Sequence, residues 1–129
     1  MALEQLFSTV AGIRAGLILV EDPQSSDSHE DWEPMDSFVD AGPSSIYVSV
    51  QPSVDGPVTI AVLDGDEVIS GMQLYYEGEL ILDSKSCVVF DVDESFSFLV
   101  PCPSGSARIR IYADELGLAS SIAVIFESR

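Results

Sequence analysis

The sequence predicts an all-β fold: an antiparallel β-sandwich of seven to eight short strands with a long acidic loop near the N-terminus. Three observations predict it. From position 46 onward, apolar residues recur at every second position, the period of a half-buried strand. Turn signals such as Asp55-Gly56, Asp64-Gly65 and the Pro101/Pro103 pair punctuate the chain about every 8 to 12 residues, the rhythm of a sandwich. One stretch, residues 21–40 (EDPQSSDSHEDWEPMDSFVD), breaks the pattern: it holds eight carboxylates, no Lys or Arg, and the only Trp and His of the chain.

The elements follow in order. Residues 3–13 read as a helical turn or an irregular entry. Residues 15–20 (AGLILV) are apolar throughout and stop at Glu21-Asp22-Pro23, a buried first strand. In the acidic stretch, Ser28 precedes His29-Glu30-Asp31-Trp32 in a helix-start pattern, and Pro34 ends it. Too few apolar residues lie there for independent folding, but Trp32, Met35, Phe38 and Val39 suit docking on a core, so residues 21–45 are expected to form a loop packed on a single domain of residues 1–129.

Residues 46–50 (IYVSV) place Ile46, Val48 and Val50 on one face. Residues 58–63 (VTIAVL) are apolar on both faces and read as a central strand. Residues 72–82 allow one bent strand with Gly78 as a bulge, two short strands, or a helix, which the tyrosines disfavour. Residues 86–92 and 95–100 are further strands. Residues 107–113 (ARIRIYA) alternate cleanly, with Ala107, Ile109, Ile111 and Ala113 inward and Arg108, Arg110 and Tyr112 outward; residues 121–127 complete the set. A barrel is the alternative architecture.

Charge bounds the function. Twenty-two acidic residues against five basic ones give a net charge of −17 over 129 residues, which repels nucleic acid and anionic membranes and favours a basic partner. A compact domain of this length is roughly 36 Å across, and duplex DNA of that length carries about 21 phosphate charges. The protein's charge is therefore of nucleic-acid magnitude. The N-terminus lacks the early positive charge and apolar core of a secretory signal, residues 15–20 are too short to span a bilayer, and no Asn is present to accept a glycan. Cys87 and Cys102, 15 residues apart without a CxxC, fit buried thiols in a reducing cytoplasm. The expected location is cytoplasmic.

Catalytic and metal signatures are absent. His29 lies among Asp27, Glu30, Asp31 and Glu33, but no nucleophile with a supporting partner is evident, and an enzyme is not expected. The carboxylate-rich turns at 64–67 and 91–94 do not follow the EF-hand spacing, so no cofactor is expected. Arg108 and Arg110 on one strand face suit cross-strand pairing with acids.

The C-terminal half, VDESFSFLVPCPSGSARIRIYADE followed by SSIAVIFES, runs as an apolar strand, a Pro/Gly turn, an R-x-R-x-Y strand and a final apolar strand. Over residues 44–129 this order resembles small acidic bacterial β-sandwich inhibitors, the competence-protein-J-like nuclease inhibitors and immunity proteins. It departs from them at its end, where Phe126-Glu127-Ser128-Arg129 stands in place of a Trp-Pro. The resemblance implies a stoichiometric inhibitor of a nuclease. On that reading the partner is a basic protein, with no direct nucleic acid and no membrane. Glu30, Asp31, Glu33 and Asp36, with Asp64, Asp66 and Glu67, stand in for phosphates, and Trp32 supplies an apolar anchor. The competing readings are a C2-like calcium-binding sandwich and an accessory domain that pairs through a sheet edge.

Overall fold

The computed structural model describes residues 3–29, 32, 37–115 and 117–128. Ten strands run in chain order as β1 (Glu4–Ala11), β2 (Leu17–Glu21), β3 (Val39–Ala41), β4 (Ser45–Ser49), β5 (Val58–Asp64), β6 (Gln73–Ile81), β7 (Ser86–Asp91), β8 (Ser97–Pro101), β9 (Ser106–Ala113) and β10 (Ser121–Ser128), with one 3-10 turn at Ser53–Asp55. They form two five-stranded sheets, β1-β5-β10-β9-β6 and β3-β4-β2-β7-β8, packed as a sandwich and not closed into a barrel. Among the described pairings only β10 with β5 is parallel; the rest are antiparallel.

Alternation builds the core as expected. Val58, Ile60 and Val62 of β5, Ile109 and Ile111 of β9, and Ile122, Val124 and Phe126 of β10 face Ile18 and Val20 of β2, Ile46 and Val48 of β4, and Val89 of β7 in one buried cluster. Burying one face of each sheet against the other is the dominant stabilising term.

Two expectations are corrected. Residues 3–13 are not a helical turn: β1 forms an edge strand against β5, with a bulge between Gln5 and Phe7 that breaks the alternation a reader would look for. Residues 72–82 contain one long strand, but its register shift falls between Leu74 and Tyr76 and not at Gly78, which pairs regularly with Ile109. Gly78 instead leaves room for the Tyr76 side chain, whose hydroxyl end a Cβ there would meet.

Two long connections position the surface. After β5, which lies second in its sheet beside the edge strand β1, the chain crosses to the start of β6 at the opposite edge, and Ile69 and Met72 of this strap cover Tyr112, Ala123 and Ile125 on the outer face. After β2 the acidic stretch likewise returns over the outer face of the second sheet to β3. Each sheet thus carries a strap on its solvent side.

Candidate functional site

The acidic strap is fastened residue by residue. Asp22 is buried and accepts hydrogen bonds from the Gln24 and Ser84 backbone N–H groups and from the Ser84 hydroxyl. Burial pushes its carboxyl up, and the three donors more than offset that, leaving it below its ordinary value. Asp27 accepts the Ser44 N–H at 2.8 Å. Gly42 leaves room for that carboxylate, since a Cβ there would lie 2.6 Å from Asp27 Oδ2.

His29 is a further fastening. Its side chain is only 3% exposed. Nδ1 meets Asp40 Oδ2 at 2.6 Å, Nε2 meets Ser45 Oγ at 3.0 Å, and the ring stacks on Tyr47 at 3.7 Å between centroids. An Asp–His–Ser order is the geometry of a hydrolytic triad, but Ser45 is 1% exposed and its hydroxyl donates to Glu21 Oε1 at 2.8 Å. The serine is sealed beneath the strap and its proton is committed to a carboxylate, so no substrate carbonyl can reach it. The array works as a clamp tying β2, β3 and β4 to the strap. Sequence reasoning found His29 but not Asp40 or Ser45, which lie 11 and 16 residues away and join it only through the β3–β4 hairpin.

Beyond the clamp lies an apolar cleft of about 580 Å³ at the end of the sandwich, lined chiefly by Leu17, Trp32, Phe38, Val50, Pro52 and Leu118. Trp32 donates its indole N–H to the Ser37 carbonyl at 2.8 Å and stands edge-on to Tyr47. Phe38 stacks on Tyr75 with centroids 6.2 Å apart. The Tyr75 hydroxyl accepts the Gly117 N–H and donates to the Ser49 carbonyl. Burial raises its pKa, the Gly117 hydrogen bond opposes that, and the nearby Asp114 adds to the rise. Gly117 has φ +88°, and a Cβ there would sit 2.8 Å from the Phe38 ring.

The other expected contact residues lie elsewhere. Asp64 ends β5 beside Glu4 and Phe126, six strand residues, or about 20 Å, from the cleft end. Asp66 and Glu67 follow on the strap of the opposite sheet. The structure therefore does not bring them together with Trp32. Glu30, Asp31, Glu33 and Asp36 lie outside the described residues, as does the helix start expected there for Glu30 and Asp31. The turn at 91–94 turns its carboxylates apart: Asp91 is buried and accepts the Phe96 N–H, while Asp93 pairs with Arg14. Among the described residues no group of three or more His, Cys, Asp or Glu is placed to hold a metal ion.

Arg108 pairs with Glu77 across β6, as cross-strand logic predicts. Arg110 does not follow. It sits on the outer face yet is only 6% exposed under the strap, and its described hydrogen-bond partners are the Tyr112 hydroxyl and the Gly65 carbonyl. Cys87 and Cys102 are both buried free thiols; burial, and then the proximity of Cys102, push the Cys87 thiol far up, which leaves it inert.

No family model and no curated protein matches the chain by sequence. Solved structures do match. Superposed on the crystal structure of ComJ, an inhibitor of the DNA-degrading activity of NucA from Bacillus subtilis, the chain gives a TM-score of 0.72 at 11% identity, and the match covers 100% of both chains. The chain shares the ComJ fold. A second structure, described as crocagin biosynthetic gene J, aligns with a TM-score of 0.61 at 13% identity over 100% of this chain and 99% of its own. The resemblance legible in the C-terminal half thus extends over the whole chain as a likeness of fold, and the first of these neighbours is an inhibitor.

Proposed function

We propose that this protein is a non-catalytic, stoichiometric inhibitor, of the immunity or anti-defence type, that acts in the cytoplasm as one domain and holds a basic nuclease or other nucleic-acid-binding protein through its negative surface. The observation that carries this reading is the full-length fold match to an inhibitor of a nuclease. The net charge of −17 supports it independently, because it rivals that of a DNA duplex as long as the protein is wide. The sealed Ser45 and the inert Cys87 leave neither residue available as a nucleophile. No helix of the described residues is long and apolar enough to cross a membrane.

The contacts divide into two groups. Glu30, Asp31, Glu33 and Asp36 flank the Trp32 anchor on one strap, and Asp64, Asp66 and Glu67 line the start of the other. Titrating a cationic recombinant nuclease with the protein tests the reading. DNA cleavage should fall to zero at a fixed molar ratio, and the affinity should drop at least tenfold between about 50 and 200 mM salt. Neutralising each carboxylate group separately identifies the one that meets the partner, through a slower association rate. Affinity that hardly responds to salt would sink the phosphate-mimic mechanism.

A further inference from the structure

We infer that the apolar cleft at the Trp32 end of the sandwich is a socket for one large apolar side chain of the partner, flanked on the partner's surface by basic residues; this rests on the inhibitor reading and specifies its contact. The cleft is walled by Leu17, Val50, Pro52 and Leu118, with Trp32 and Phe38 from the acidic strap. Phe38 and Leu118 remain 37% and 54% exposed, so apolar surface is presented to solvent. The walls are held in place: Phe38 lies against Tyr75, whose hydroxyl is tied to Gly117 and to Ser49. A preformed apolar recess loses little conformational freedom when filled.

Charge identifies the occupant. Exposed Asp55, Asp114 and Glu115 stand on the loops that form the cleft, and no Lys or Arg occurs between Arg14 and Lys85, the whole span that supplies Trp32 and Phe38. Arg14 is the basic residue nearest in sequence to the Ala15–Gly16–Leu17 wall, and it pairs with Asp93 at 3.2 Å. A neutral ligand would gain nothing from such a rim. An aromatic or aliphatic side chain between Arg or Lys residues matches both features, the apolar anchor within a charged surround that typifies interface hot spots.

Trp32 is the chain's only Trp and lines the cleft, so its emission reports occupancy. The probes are blocked pentapeptides: Phe between pairs of Arg, Ser between pairs of Arg, and Phe between pairs of Gln. The Arg-flanked Phe peptide should shift Trp32 emission saturably, and each of the other two should bind at least tenfold more weakly. Leu118→Ser and Phe38→Ser, checked for an unchanged far-ultraviolet spectrum, should each weaken the Arg-flanked Phe peptide tenfold. In the nuclease titration the same variants should speed dissociation while leaving the salt dependence intact. Equal binding of the Arg-flanked Phe and Ser peptides would overturn the socket while leaving the charge-based inhibitor standing. Equal binding of the Gln- and Arg-flanked Phe peptides would overturn the basic occupant. Salt-dependent inhibition by the wild type that Leu118→Ser and Phe38→Ser leave unchanged would place the contact elsewhere, whereas failure of the wild type to inhibit any cationic nuclease would overturn the inhibitor reading itself.

Discussion

At Asp22, burial and hydrogen bonding pull the carboxyl in opposite directions, and hydrogen bonding from Ser84 and Gln24 prevails. Its pKa in the folded chain therefore lies below the ordinary 3.8. Such a group stabilises the fold fully above its unfolded value, and the contribution is lost as pH falls through the lower folded value. Asp22→Asn turns a donor toward these donors and should cost about 2 kcal/mol at neutral pH. It should also flatten the acid limb of stability, read from urea melts between roughly pH 3 and 7; an acid limb identical to that of the wild type would refute the assignment. The His29 clamp makes a second prediction at this scale. His29→Ala removes the partner of Asp40 and Ser45 and the ring stacked on Tyr47, and should cost about 1–3 kcal/mol. Proteolysis between positions 22 and 38 should quicken well before the β-sheet signal is lost, because the strap rather than the core loses its fastening.

At the scale of elements, the strands that were legible are the ones with two unequal faces. β4, β9 and β10 read directly, because a residue facing the core alternates with one that does not. β1 escaped because it is a bulged edge strand whose apolar residues do not alternate, and β3 because three residues inside an acidic stretch carry no period at all. The straps were half legible. Trp32 and Phe38 signalled that residues 21–40 would not float free, since isolated large apolar groups in an acidic stretch need a surface to cover. Nothing in residues 65–72 announced that Ile69 and Met72 cross the outer face of the other sheet, because that depends on β5 and β6 lying at different positions in the strand order. The same crossing explains why Arg110 and Tyr112, correctly read as outward from the alternation, are nevertheless buried. Met72→Ser should uncover part of Tyr112 and Ile125 and cost about 1–2 kcal/mol, less than a fully enclosed core truncation, as a lower denaturant midpoint with little change in slope. A loss as large as that of a core residue would mean the strap is integral to the main core.

For the whole molecule, charge acts on the free protein and on its proposed complex with opposite sign. Twenty-two carboxylates against five basic residues leave an excess of negative charge that repels itself within a domain about 36 Å across, so screening by salt should relieve the folded state. Attraction to a basic partner is screened by the same ions over a Debye length of about 8–10 Å. Raising sodium chloride from about 10 to 200 mM should therefore raise the melting temperature while lowering the affinity for a cationic nuclease. The opposition is diagnostic, because affinity lost through unfolding would fall together with melting temperature. Apolar burial in the Trp32 cleft is indifferent to such screening, so a residual affinity should persist at high salt and should be the part that Leu118→Ser and Phe38→Ser remove. Measuring melting temperature and dissociation constant on one set of samples separates the three contributions: self-repulsion from the melt, steering from the salt slope, and the apolar anchor from the plateau at high salt.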